Sequence, residues 1–161
     1  MTREQFTSHV EGIQKAFRRF LVALCCGDSV LADDIAQEAL IKAYLSCDSF
    51  RDINKFNAWI WRIGYNTFIS DRRAAKISVG YDSIMDRAAA DSADSAFRYQ
   101  ALYAALNRIP DKERMAILLH YMEGYSVKEI ADIIDASQDA VRQQLSRGRN
   151  HLRSVLDLDA V

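Results

Sequence analysis

The chain has 161 residues, half of them hydrophobic, and a formal net charge of −1 at pH 7. This length and composition indicate a globular protein with one ordinary domain or two small ones. A near-neutral charge does not by itself indicate a nucleic-acid binder, so any basic surface must be segregated from acidic surface. No run is long enough to span a membrane, and residues 1–14 lack the apolar core of a signal peptide, which predicts a cytoplasmic protein without membrane insertion. The three cysteines form no CxxC motif and no histidine lies at ligand spacing, so no disulfide framework, metal site or cofactor is expected.

Apolar residues recur at helical spacing along the whole chain, with Pro110 as the single proline and no sustained period-two alternation. This pattern predicts an all-α fold. A first helix is expected from Gln5 to Cys26, and burial in its core is favoured for Cys25 and Cys26 over a redox-sensing role. A second helix is expected over residues 31–44, with two neighbouring lines of aliphatic and alanine residues on its buried side.

The opposite side of this second helix carries polar residues and one isoleucine. It comprises Asp33, Asp34, Gln37, Glu38, Ile41 and Lys42. Taken by itself, such a face is explained by solvation, with Glu38 and Lys42 paired four residues apart.

A third helix is predicted from an Asn54 cap through Arg73, with aromatic residues on more than one side. Its core face is expected to comprise Phe56, Trp59, Ile60, Ile63 and Thr67. A second line of aromatic residues, Trp61, Tyr65 and Phe68, lies beside arginine and asparagine, a combination that suits single-stranded nucleic acid because rings stack on unpaired bases. Core packing is the alternative for any one of these rings.

Residues 77–96 differ in composition from the rest of the chain, with four Asp, four Ser and one Arg. We interpret them as an acidic linker between two small helical domains, residues 1–76 and 97–161.

The second domain contains the strongest local motif. Ser126 and Glu129 form a capping-box pattern that starts one helix, and residues 135–137 are short enough to turn the chain into another helix near Gln138. Val141, Leu145, Gly148 and Leu152 then form one apolar stripe of that second helix. Its other sides are polar, and the stretch from Arg142 to Arg153 contains four arginines and no acid. The polar residues are Gln138, Asp139, Arg142, Gln143, Ser146, Arg147, Arg149, Asn150 and Arg153. A helix-turn-helix with a one-sided arginine-rich and glutamine-rich face indicates DNA binding more strongly than a solvated surface.

Residues 33–44, 56–73 and 106–153 together resemble bacterial sigma factors of the sigma-70 superfamily, in the compact extracytoplasmic-function group. The resemblance covers nearly the whole chain and rests on three blocks in the right order. It implies two helical domains, region 2 and region 4, that bind core RNA polymerase and promoter DNA without catalytic activity. An anti-sigma factor is a further partner expected from the resemblance.

The resemblance also implies residue roles. Polymerase docking is expected from Asp34, Gln37, Glu38, Ile41 and Lys42. Melting of the minus-ten element and capture of the displaced strand are expected from Trp59, Arg62, Asn66, Arg72 and Arg73, with residues 72–76 forming a loop that receives a flipped base. Recognition of the minus-35 element is expected from Gln138, Arg142, Gln143, Ser146, Arg147 and Arg149.

Three departures from the family pattern lie in the helix-turn-helix. Asp135 replaces the usual turn glycine, Ala140 replaces a common threonine, and Gln144 stands where a basic residue is frequent. The alternative function is a stand-alone helix-turn-helix regulator that never joins polymerase. An enzyme has little support, because the sequence shows neither a phosphate-binding glycine loop nor a catalytic pairing of histidine with carboxylate.

Overall fold

A computed structural model describes the backbone of residues 1–78 and 93–159, and the side chains of residues 1–75 and 99–156. Within these ranges the secondary structure is helical and includes no strand, which confirms the all-α prediction. The α-helices are α1 (Arg3–Leu24), α2 (Ser29–Ser46), α3 (Phe56–Ser78), α4 (Ala93–Asn107), α5 (Asp111–Ile117), α6 (Val127–Ile134) and α7 (Gln138–Asp159). A π-helical segment, Leu118–Met122, continues α5, and two 3₁₀ turns, Cys47–Ser49 and Ile53–Lys55, connect α2 to α3.

Side-chain caps fix where the first two α-helices and the 3₁₀ turn before α3 begin. Thr2 and Gln5 form a capping box on α1, and the Asp28 carboxylate accepts the backbone N–H of Leu31 at the start of α2. The prediction that Asn54 caps the third helix is wrong, because Asp52 accepts the backbone N–H of Asn54 and starts a 3₁₀ turn before α3. Such caps satisfy backbone donors that have no partner within the helix.

The first helix ends two residues earlier than predicted. Cys26 and Gly27 both adopt positive φ angles, of 55° and 92°, and these conformations turn the chain out of the helix after Leu24. Positive φ is readily adopted by glycine and rarely by other residues, so Gly27 suits this turn and Cys26 is an uncommon occupant.

Helix α3 is covered on two sides, by α1 and by α2. The Trp61 ring packs against Phe17 and Phe20 of α1, with ring centroids 5.1 and 6.1 Å apart. Gly64 permits this approach, since a Cβ at that position would lie 2.8 Å from the Phe17 ring. The line of Trp61, Tyr65 and Phe68 is therefore core, with exposures of 2%, 8% and 1%. This confirms the alternative of core packing, and the interpretation of these rings as a surface for unpaired bases is wrong.

The second domain is built on α5 and α7. Helix α6 packs across α7, and Asp135 turns the chain between them at a φ of 55°. Asp tolerates this left-handed conformation better than most residues because its short side chain can bond locally, which explains how it replaces the usual glycine.

The two domains pack against each other. Helix α6 lies on α3, and the ring of Tyr103 in α4 covers Gly27 of the first domain. Buried residues of both domains form one continuous hydrophobic cluster. Of the predicted linker, residues 77–78 belong to α3 and residues 93–96 to α4, while the remainder lies outside the described residues.

Candidate functional site

The predicted docking face lies on the exposed side of α2. Its five members are exposed, namely Asp34, Gln37, Glu38, Ile41 and Lys42. Ala32, Ile35, Ala39 and Ala43 occupy the opposite side and are at most 1% exposed. The helix therefore rests on small side chains that bring it close to α3, and it presents a continuous outer surface.

Two apolar residues that the sequence reasoning did not assign to this face belong to it. Val30 and Leu45 are 65% and 69% exposed, and Ile41 between them is 59% exposed. The helical repeat places these three on the same side of α2 as the polar docking residues. Ile41 and Leu45 lie about one turn apart, and Val30 lies about three turns before Ile41 near the start of α2. Exposed aliphatic side chains grouped on one side of a helix suit an interface. Their exposure depends on how α2 packs in the tertiary structure, so local sequence patterns could not predict it.

Charged groups flank this apolar line. Lys42 Nζ lies 3.1 Å from Glu38 Oε1, one helical turn away, and 3.5 Å from the Thr67 hydroxyl of α3. Asp33, beside the face, pairs with Arg18 of α1 at 2.8 Å. The Glu38–Lys42 pair expected from spacing is therefore present, and it leaves Asp34 and Gln37 as the polar groups beside Ile41.

The predicted minus-ten residues of α3 differ in their surroundings. The Trp59 ring is partly buried and stacks on Phe50, with centroids 4.3 Å apart and planes 11° from parallel. One face of the indole is therefore occupied. Asn66 and Arg73 are exposed. Arg62 is exposed but donates from Nη1 to the backbone carbonyl of Asp132 in α6 at 3.2 Å.

Arg72 does not lie in a loop. Helix α3 runs to Ser78, so the prediction that residues 72–76 form a loop for a flipped base is wrong for this structure. The Arg72 guanidinium instead donates to both carboxylate oxygens of Asp111, at 3.2 and 3.3 Å. Helix α3 therefore continues five residues beyond the end predicted at Arg73, and Arg72 makes a tertiary contact from within it.

The helix-turn-helix forms as predicted. Ser126 Oγ accepts the Glu129 N–H, and Glu129 Oε1 accepts the Ser126 N–H, which completes the capping box. Ser137 Oγ accepts the Ala140 N–H and caps α7. Each such cap stabilises its helix by roughly 1 kcal/mol. The threonine that Ala140 replaces is therefore not needed to start α7.

The polar side of α7 faces outward. Val141 and Leu145 are 0% and 3% exposed, whereas all six predicted minus-35 residues are exposed. Those six are Gln138, Arg142, Gln143, Ser146, Arg147 and Arg149. Arg142 Nη1 donates to Asp139 Oδ1 at 2.9 Å, and Arg149 Nη1 donates to the Tyr121 hydroxyl at 3.1 Å. Tyr121 is 60% exposed and joins this surface from the segment after α5, a contribution that sequence spacing did not reveal.

The cysteines are placed as core residues. Cys47 is 0% exposed, and Cys25 and Cys26 are partly buried. Burial raises the pKa of the Cys25 thiol, with the Asp28 carboxylate adding to the shift, and burial likewise raises the pKa of Cys26. Burial therefore favours the protonated, less nucleophilic form of both thiols in this arrangement. Across the described residues, no three His, Cys, Asp or Glu side chains gather as metal ligands would.

None of the helices within residues 1–78 and 93–159 combines the length and the apolar character that a membrane span requires.

Comparisons with known proteins match both domains. The family model Sigma-70 region 2 matches residues 7–77, and Sigma-70, region 4 matches residues 99–152. The ECF RNA polymerase sigma factor SigW of Bacillus subtilis is 33% identical over 141 residues, which cover 78% of this chain and 75% of SigW. The ECF RNA polymerase sigma-E factor of Escherichia coli (strain K12) is 31% identical over 132 residues, which cover 72% of this chain and 69% of that protein.

Solved structures share the whole architecture. The sigma factor RpoE, crystallised with the anti-sigma factor NepR from Bartonella quintana, superposes with a TM-score of 0.81 at 26% identity, over 97% of this chain and 99% of that chain. CnrH, solved with the cytosolic domain of CnrY, gives a TM-score of 0.72 over 98% of this chain and 91% of that chain. Its 23% identity supports the fold alone.

These relatives favour a polymerase factor over a stand-alone regulator, and they are transcription initiation factors rather than enzymes. The chain belongs to the sigma-70 family and is an ECF RNA polymerase sigma factor.

Proposed function

We propose that this sigma factor binds core RNA polymerase through α2, captures the opened minus-ten strand along α3 and reads the minus-35 element with α7. The observation that carries the proposal is the exposed face of α2. There the exposed aliphatic residues Val30, Ile41 and Leu45 share one side of a well-packed helix with Asp34, Gln37 and Glu38.

An apolar line with charged neighbours suits a helical partner of mixed character. Stable interfaces combine a desolvated apolar centre with a polar rim that sets specificity. Ile41 and Leu45 would supply the centre, and Asp34 and Gln37 the rim. Docking through this face would leave α3 and α7 available for DNA.

Strand opening is proposed to depend on the outer edge of α3. Extruding a base costs a few kcal/mol in lost stacking and pairing, which binding of the unpaired strand must offset. Because Trp61, Tyr65 and Phe68 are buried, that contribution would come from Trp59 together with the exposed Asn66 and Arg73. Arg62 and Arg72 would join them once released from their present partners.

Recognition of the minus-35 element is proposed for α7. Arginine and glutamine make bidentate contacts with base edges in the major groove, and additional arginines bind phosphates. The apolar stripe that seats α7 on α5 leaves Arg142, Gln143 and Arg147 exposed, where they would contact a duplex.

An anti-sigma factor is a further proposed partner, supported by the similarity to RpoE in its complex with NepR. We also propose that the protein acts in the cytoplasm, where core polymerase and chromosomal DNA are found.

The test is co-elution of the purified chain with bacterial core RNA polymerase on a sizing column, with and without excess housekeeping sigma factor. Competitive co-elution is expected. A folded chain, free of inhibitor, that fails to co-elute would contradict the proposal.

Paired substitutions locate the interface. The variant Gln37→Ala with Glu38→Ala should lose co-elution. The matched control is Glu11→Ala with Gln14→Ala, an exposed acid and amide on α1, which should co-elute like wild type. Equal loss in both variants would argue against docking through α2.

A further inference from the structure

Asp111 joins the two domains. Its carboxylate accepts two hydrogen bonds from Arg72 of α3, from Nε at 3.2 Å and from Nη2 at 3.3 Å. The same carboxylate accepts Nη2 of Arg114, one turn further along α5, at 2.7 Å. The side chains of Arg72 and Asp111 are 24% and 23% exposed, so this pair is shielded from water more than a surface ion pair is.

A second contact lies along the same helix. Arg62 donates to the Asp132 carbonyl oxygen at the point where α6 packs on α3. Arg62 and Arg72 are thus two of the residues proposed for the minus-ten strand, and both are bound by the other domain. We call this arrangement closed, because the other domain occupies both of these arginines, which are proposed to bind the minus-ten strand.

Promoter geometry does not permit both domains to work in this arrangement. The names of the minus-35 and minus-ten elements give their positions before the transcription start, so the two elements are about 25 base pairs apart. At roughly 3.4 Å per base pair, this separation is about 85 Å of duplex. A compact chain of this length has a radius of gyration of about 15 Å. Domains in direct contact therefore cannot reach both elements, and the interface between them must separate.

We propose, on the basis of the function proposed above, that Asp111 is an internal substitute for a DNA phosphate. It holds Arg72 and keeps the free protein closed, and it gives Arg72 up to the promoter strand when the domains separate.

The chemistry of the pair supports an exchange of this kind. A carboxylate and a phosphate both present two oxygens that match the planar fork of a guanidinium, so either can accept the same pair of N–H groups from Arg72. Asp111 remains paired with Arg114 after the exchange, because Arg114 belongs to the same helix. Opening thus transfers one arginine from carboxylate to phosphate and leaves the partner of the buried Arg114 in place.

The native cysteines provide a readout of opening. Cys26 lies near the charges of Arg114, Arg72 and Asp111, and the adjacent Gly27 is covered by the Tyr103 ring of the other domain. Cys47 is fully buried inside the first domain. Labelling with an aromatic disulfide reagent, resolved by fragmentation of the peptide in a mass spectrometer, gives the rate at Cys25 relative to the rate at Cys47. Cys26 is left out of this ratio because Arg72 lowers and Asp111 raises the pKa of its thiol, so both variants would change its reactivity without opening. Domain opening raises this ratio, whereas unfolding of the first domain raises both rates together.

Arg72→Gln should raise the ratio about fivefold, the factor for one partly shielded ion pair. Asp111→Asn should do the same. The matched control is Arg73→Gln, which removes a charge from the same turn of α3 but leaves the Asp111 pair intact, and its ratio should equal that of wild type. A labelling ratio in Arg72→Gln equal to that of wild type would overturn the proposal.

The exchange itself is tested with a single-stranded DNA oligonucleotide. It should raise the ratio for the wild-type chain and have no such effect on Arg72→Gln. If the oligonucleotide leaves the wild-type ratio unchanged, the phosphate exchange is overturned. Labelling without DNA involves neither polymerase nor promoter. If the labelling ratios are as expected and the chain fails to co-elute with polymerase, that failure counts against the proposed function alone.

Discussion

Gly148 of α7 lies directly against Ile117 at the end of α5, so that a Cβ added to Gly148 would be 2.8 Å from Ile117 Cγ1. This contact sets how closely the recognition helix approaches the rest of its domain. It also makes one glycine in a long helix necessary for packing, although glycine weakens a helix by about 1 kcal/mol relative to alanine.

Gly148→Ala should therefore destabilise the protein, by about 1–3 kcal/mol, because overpacking outweighs the gain in helix propensity. Urea unfolding followed by circular dichroism measures the change. The control is Gly12→Ala in α1, where a Cβ would meet nothing within 4 Å and which should stabilise by about 0.5–1 kcal/mol. If both variants gain stability, the close contact with Ile117 is not limiting.

Leu45→Ser should weaken binding to core polymerase by roughly tenfold while leaving stability within about 0.5 kcal/mol of wild type. Leu45 is 69% exposed, so its removal costs little buried area in the free chain. A competition titration against the housekeeping sigma factor gives the affinity. Leu156→Ser, a 45% exposed leucine on α7, is the control and should retain wild-type affinity. Equal effects at both positions would argue for a general loss of solubility.

Tyr121→Phe should weaken binding to promoter duplex by about two- to fivefold, since Arg149 loses the hydroxyl that accepts its hydrogen bond and holds its orientation. Fluorescence anisotropy with the full chain and a labelled duplex measures this loss. Tyr99→Phe removes a hydroxyl from another exposed tyrosine of the same domain and should bind like wild type. Unchanged binding by the Tyr121 variant would exclude a role for this residue in the DNA surface.

Burial raises the pKa of Glu123 above its ordinary value of 4.5, and Arg19 of α1 opposes that shift only in part. The folded state thus holds this proton more tightly than the unfolded state, so the stability it contributes is present below pH 4.5 and is lost as pH rises through the folded pKa. Glu123→Gln should be more stable than wild type at pH 7, by less than about 1 kcal/mol because the group is only partly buried. Thermal unfolding at several pH values should show this advantage shrinking towards pH 4.5. An advantage that does not change with pH would contradict the assignment to Glu123.

Features that depend on neighbours in sequence were predictable. Ser126 and Glu129 cap α6 in the way their spacing indicates, because both partners lie within one helical turn. The apolar stripe from Val141 to Leu145 faces the core for the same local reason, and the arginines of α7 are exposed as a consequence. The helix-turn-helix and its outward face thus follow from local sequence patterns.

Features that depend on distant contacts were not predictable in this way. Trp61, Tyr65 and Phe68 have the spacing of an exposed stripe, and only the packing of α1 on α3 shows that they are buried. The loop that the family resemblance implied for residues 72–76 is likewise absent, because α3 continues to Ser78. Arg72 finds its partner Asp111 39 residues away along the chain, a pairing that no local pattern encodes.

The sequence by itself determined the all-α fold, the caps of the helix-turn-helix and the family, because these follow from hydrogen bonds and periodicities within a few residues and from motifs in a fixed order. The tertiary structure decided which faces remain exposed and which charged groups meet. Burial depends on what packs against a helix, and an arginine at a given position binds DNA or a carboxylate according to which of them lies within reach.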